Sequence, residues 1–146
     1  MSCEFWVMST EFINPRPITQ NSDKMVNLEV RTHPNVIFAY APNHVEMILR
    51  VENNHHACWA EADVHVPERL SLSPDNSLRK GRVRVGIVDN NQYLEKAVRI
   101  YANTYTSPQM YRCKVTVYIY NKDGVIESRL ERATDIRCEM KKNAVL

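Results

Sequence analysis

Tyr111-Arg112-Cys113-Lys114-Val115-Thr116-Val117-Tyr118-Ile119-Tyr120, followed by Asn121-Lys122-Asp123-Gly124, is the stretch whose reading decides the fold. Tyr111, Cys113, Val115, Val117 and Ile119 alternate with Arg112, Lys114, Thr116, Tyr118 and Tyr120. A period of two puts one set on a buried face and the other on an open one, which is the signature of a strand in a one-side-solvated sheet. Asn121 to Gly124 then reads as a hairpin turn, with Gly124 supplying the positive φ such a turn needs. The chain returns as a strand from Val125 through Arg132, and Ile136 and Cys138 share a face beyond it.

The same period runs backward through the sequence. Val26, Leu28 and Val30 alternate with polar residues, and Val36 to Ala41 form a short second run. Val45, Met47, Leu49 and Val51 alternate with Glu46, Ile48, Arg50 and Glu52. Cys58, Ala60, Ala62, Val64 and Val66 lie on one face of the next run, with Trp59, Glu61, Asp63 and His65 on the other. Leu70 and Leu72 lead into a loop, after which Val83, Val85 and Ile87 are expected to face one way and Arg82 and Arg84 the other. Gly86 inside that run signals a bulge or a close backbone approach. Gln92 to Asn103 fits two periods: Leu94, Ala97, Val98 and Tyr101 a helix, Leu94, Val98, Ile100 and Ala102 a strand broken by Lys96. β-Branched Val98 and Ile100, among so many strand neighbours, favour the strand.

Val and Ile total 25 against 8 Leu, in keeping with strands. At 146 residues the chain has room for one domain with a core. The pattern predicts an all-β fold, an antiparallel β-sandwich of about seven or eight strands. Residues 1–24, with Pro15 and Pro17 among polar neighbours, read as an extended arm, 25–140 as the sandwich, and 141–146 as a tail.

Two segments resemble immunoglobulin-like sandwiches. Pro108 to Cys113 followed by Lys114-Val115-Thr116-Val117 is similar to the penultimate strand of that family. Val51-Glu52-Asn53-Asn54, Trp59 to Val66, Pro67 and Leu70 to Pro74 resemble CARDB-type accessory modules. The likeness covers about residues 45–139. It implies a tyrosine corner, in which the Tyr111 hydroxyl reaches back to upstream backbone. It also implies a non-catalytic spacer, adhesion or interaction module. Leu49 stands near the position of the family's first cysteine, so the usual intersheet disulfide is not expected. Trp59 has the parity of the outer face unless a bulge turns it inward.

No chemical motif competes strongly with that reading. With 3 Gly the chain cannot build a phosphate-cradling loop, and no nucleophile elbow, HExxH or dinucleotide fingerprint occurs. No enzymatic activity and no cofactor are expected. His55-His56-x-Cys58 is the most ligand-like cluster, but only His56 and Cys58 share a strand face and His65 points away, leaving too few ligands for zinc. A small metal-binding protein or enzyme using His56 and Cys58 is the rival reading. Cys58, Cys113 and Cys138 sit at inward positions, expected as buried free thiols, with a Cys58–Cys113 disulfide as the alternative; Cys3 falls in the arm.

A net charge of +2 argues against a dedicated nucleic-acid binder, and Arg79-Lys80-Gly81-Arg82-Val83-Arg84 reads first as a solvated strand face. No apolar run reaches the roughly 18–20 residues of a membrane span. Met1 to Phe12 lacks the basic start and long apolar core of a signal peptide, making the cytoplasm the expected setting.

The expected partner is a protein, or a second copy in a homodimer. If the strand from Cys58 and the strand from Tyr111 share a sheet, as the immunoglobulin-like resemblance implies, the contact surface would be their combined outward face: Trp59, Glu61, Asp63 and His65 beside Lys114, Thr116, Tyr118 and Tyr120, with Asp135 and Arg137 flanking. The competing reading of the same face is solvated, with opposite charges paired across strands.

Overall fold

The structure, a computed structural model, describes residues 25–141; the expected N-terminal arm (1–24), Cys3 and nearly all of the expected tail lie outside the described residues. The described chain is all-β, with no helix. Its strands are β1 (Val26–His33), β2 (Val36–Phe38), β3 (Asn43–Asn53), β4 (Cys58–His65), β5 (Leu70–Ser71), β6 (Lys80–Val88), β7 (Gln92–Ala102), β8 (Gln109–Tyr120) and β9 (Ile126–Glu139). They form two sheets, A in the order β1-β3-β7-β5 and B in the order β2-β9-β8-β4-β6.

Alternation in the sequence becomes burial in the fold. Val45, Met47, Leu49 and Val51 of β3 are buried in sheet A. Ala60, Ala62 and Val64 of β4, with Cys113, Val115, Val117 and Ile119 of β8, are buried in sheet B, and the two sets join in one apolar core. Removing this surface from water is the main stabilising term for a sheet pair without helices.

Three features differ from the sequence expectation. There are nine strands among the described residues rather than seven or eight, because two- and three-residue segments, β5 and β2, complete the sheet edges. Pairing is not wholly antiparallel: past Pro34-Asn35 the chain crosses from sheet A to the edge of sheet B, where Val36–Phe38 runs parallel to Arg137–Glu139. Ile87 does not share a face with Val83 and Val85. Ala60 opposes Gly86 while Glu61 opposes Arg84, so Val85 is an extra residue and the parity of β6 inverts there. Gly86 carries that bulge at φ 124, and a Cβ there would lie 3.1 Å from Leu94 Cδ1. The thiols follow the main expectation, and the alternative Cys58–Cys113 disulfide does not form: Cys113 is a free thiol near the end of β8 that pairs with His65, whereas Cys58 begins β4 at the other end.

Residues 92–102 are a strand, paired with β3 from Asn43↔Ala102 to Asn53↔Gln92. Lys96 is tolerated on its inward parity because β5 covers only Ala102 and Tyr101, leaving that part of β7 at an open edge. The hairpin turn is as expected. Gly124 takes φ 78 and donates its amide to the Asn121 carbonyl, while Asn121 Oδ1 accepts the amides of Asp123 and Val125.

Candidate interaction surface

β4 and β8 are neighbours in sheet B, in the register Trp59↔Tyr120, Glu61↔Tyr118, Asp63↔Thr116 and His65↔Lys114. All seven residues singled out for partner contact therefore stand on one outward face, together with Thr116. Asp135 and Arg137 extend the same face on β9, opposite Arg112 and Met110.

Cross-strand rows describe this face best, because side chains directly opposite one another touch. One row crosses four strands as Ile87, Trp59, Tyr120 and Ile126. Ile87 is 68% exposed, Ile126 52% and Trp59 36%. The Trp59 and Tyr120 rings lie 5.2 Å apart at a tilt of 31°.

Two bulges assemble this row. Without the bulge in β6, Trp59 would face Gly86; with it, Trp59 faces Ile87. On the other side Ile119 opposes Ser128 but Tyr120 opposes Ile126, so Glu127 is the extra residue. Regular pairing would have put Glu127 beside Tyr120. Both irregularities thus bring an isoleucine to an end of an aromatic pair. The sequence reading missed Ile87 and Ile126. Gly86 was the one signal for the first, and nothing local marked the second.

The next rows are charged and largely self-satisfied. Arg82 Nε donates to Asp63 Oδ1 at 2.7 Å, Arg82 Nη1 lies 3.5 Å from Glu61 Oε1, and the guanidinium is 5.1 Å from the Tyr118 ring centre. Arg112 grips Asp135 at 3.0 Å, and Arg129 pairs with Glu131. The hydrogen bond from Arg82 holds Asp63 below the usual carboxylate range, and Arg112 does the same to Asp135. Much of the Arg79–Arg84 cluster is engaged as well, since Arg79 donates to the Asn76 carbonyl.

Sheet A presents a different surface. Its outward rows include Glu29–Arg50–Glu95 and His33–Glu46–Arg99. Arg50 bridges Glu52 and Glu95 and lies 3.6 Å over the Tyr93 ring. This is a paired, solvated face; the row of large apolar side chains belongs to sheet B.

Glu127, displaced from the sheet by its bulge, reaches His56. The His56 Nε2 atom lies 2.9 and 3.1 Å from the two Glu127 carboxylate oxygens. His55, His56, Cys58, Asn53, Ile119 and Glu127 border a cavity of about 290 Å³ at this end of the fold. Fully buried Asn53 organises its rim, donating to the His56 and Val88 carbonyls and accepting the His55 amide. No group of three or more His, Cys, Asp or Glu among the described residues is placed to hold a metal ion. Cys58 is buried, and burial pushes the Cys113 thiol up to about 12, away from nucleophilic use. No helix of the described residues is long and apolar enough to cross a membrane.

No family model and no curated protein matches the sequence. Among solved structures, red sea bream transglutaminase is similar over 79% of this chain and 17% of its own, at 13% identity and a TM-score of 0.50. The sporulation control protein Spo0M of Bacillus subtilis is similar over 82% of this chain and 51% of its own, at 10% identity and 0.48. The CARDB domain of PF1109 from Pyrococcus furiosus, solved with di-metal ions, is similar over 80% of this chain and 94% of its own, at 13% and 0.45. This chain spans about half the length of Spo0M and a smaller share of the transglutaminase. At such identities the likeness concerns the fold alone.

Proposed function

We propose that this chain is a non-enzymatic interaction module with an immunoglobulin-like sandwich fold, which contacts a protein partner through the outward face of sheet B. The sandwich reading draws on the two facing sheets and on the corner made by Tyr111, whose hydroxyl donates to the Ser107 carbonyl at 2.8 Å.

One observation carries the contact face: two bulges flank Trp59 and Tyr120 and replace Gly86 and Glu127 by Ile87 and Ile126 in a row open to solvent. Bulges interrupt a ladder and are kept where they aim a side chain. A contiguous apolar row with an aromatic centre and a charged border has the composition of an interface core. The non-enzymatic part draws on the low nucleophilicity of the buried thiol of Cys113 and on charged side chains that satisfy one another.

In-cell photo-crosslinking tests the reading. A photoreactive phenylalanine analogue at Tyr118, in sheet B, is expected to give discrete higher-mass adducts. The same analogue at exposed Ala97, on the outer face of sheet A, is expected to give none. Adducts from position 97 alone, or from neither position, would overturn the assignment of the face.

A further inference from the structure

The sheet B face has a second end. Beyond the charged rows along the same strands, Lys80, His65 and Lys114 stand side by side on β6, β4 and β8. All three side chains are exposed, and beside Lys114 the next strand contributes only Ala133. Among the described residues no carboxylate forms an ion pair with Lys80 or Lys114. The acids on the flanking rows are engaged by arginines: Asp63, which also feels the charge of Lys80, by Arg82, Glu131 by Arg129 and Asp135 by Arg112. The face is therefore polar along the strands, with an apolar row at one end and, at the other, a row whose two lysines make no ion pair among the described residues. Trp59 and His65 are six residues apart on β4, a separation of about 20 Å.

From this charge pattern we infer that the partner is an acidic polypeptide segment, seating apolar side chains on the Ile87–Trp59–Tyr120–Ile126 row and carboxylates on the Lys80–His65–Lys114 row. The inference rests on the contact face proposed above and adds the chemistry of its occupant. Charge complementarity separates this occupant from a second copy. Two identical faces brought together would have to match the lysines with acids that arginines already hold, leaving cations unpaired in a partly dehydrated interface. The sheet edge is equally unsuited to self-pairing, since β6 carries Lys80, Arg82 and Arg84 along its open side. A heterologous segment bringing its own carboxylates meets both rows at once, and attraction between opposite charges speeds its encounter.

Selection from a phage-displayed library of random peptides, each long enough to span about 20 Å when extended, tests this on the immobilised full chain. Enriched peptides are expected to combine aromatic or aliphatic residues with several Asp or Glu. The best of them, synthesised, is expected to bind at least about tenfold more weakly to Trp59→Ala and to a Lys80→Glu, Lys114→Glu double variant. Binding is also expected to weaken as salt is raised to about 0.5 M. Circular dichroism of each variant checks that the fold is retained. Peptides that depend on Trp59 but are indifferent to the lysines would overturn the acidic partner and leave the contact face standing. Peptides indifferent to both, or no enrichment, would overturn both. A wild-type dimer in sedimentation that dissociates on Trp59→Ala would make the occupant a second copy, which also overturns the inference.

Discussion

The Tyr111 hydroxyl donates to the Ser107 carbonyl oxygen at 2.8 Å and accepts the Ser107 amide at 3.1 Å. One buried phenol thereby satisfies both backbone groups of the residue four positions upstream and pins the corner where the chain enters β8.

Replacing Tyr111 by Phe keeps the ring and removes both hydrogen bonds. Ser107 is only partly buried, so its backbone regains water and the loss is modest, about 1 kcal/mol. A urea titration is expected to show a lower midpoint with an unchanged slope. An unchanged midpoint would mean that the corner does not hold the fold.

Asn53 is expected to cost more. Its side chain makes three hydrogen bonds while fully buried, and Asn53→Ala strands the Val88 carbonyl beneath the β3–β4 connection. Unfolding free energy is expected to fall by about 2–3 kcal/mol. A fall below about 0.5 kcal/mol would show that water takes over the role of the amide.

Acid should weaken the fold through Asp63 and Asp135. Hydrogen bonds from Arg82 and Arg112 hold these carboxyls below their ordinary range in the folded state. A depressed carboxyl contributes stability above its unfolded value and loses it as pH falls through the folded value. The urea midpoint is therefore expected to be flat above about pH 5 and to decline below about pH 4, less steeply in Asp63→Asn. Identical acid profiles for wild type and variant would remove the Asp63–Arg82 pair as a source of pH dependence.

The thiols of Cys58, Cys113 and Cys138 should be unreactive in the native protein. All three are buried; burial pushes Cys113 up to about 12 and also raises Cys138. With a thiol reagent at about pH 8, these three are expected to react only after denaturant is added. Rapid native modification of all three would contradict the inward placement of β4, β8 and β9.

The sequence by itself determined the strands and most of their faces, because a two-residue period is a local property that burial on one side imposes on every strand. It therefore yielded the inward sets of β3, β4 and β8 and the outward parity shared by Trp59, Tyr118 and Tyr120; turn chemistry marked Gly124, and the corner at Tyr111 came from the resemblance to immunoglobulin-like sandwiches. Tertiary structure decided which strands lie side by side and in what register. The parallel β2–β9 pair, the union of β4 and β8 on one face, and the contact of His56 with Glu127 all depend on residues far apart in the chain. Gly86 signalled the first bulge, but its effect on parity, and the bulge at Glu127 altogether, were beyond local reading for the same reason: a bulge is a mismatch between two strands, and it exists only once they pair. By shifting parity on one strand against another, those two mismatches took Ile87 and Ile126 from where alternation would have left them and set them beside Trp59 and Tyr120.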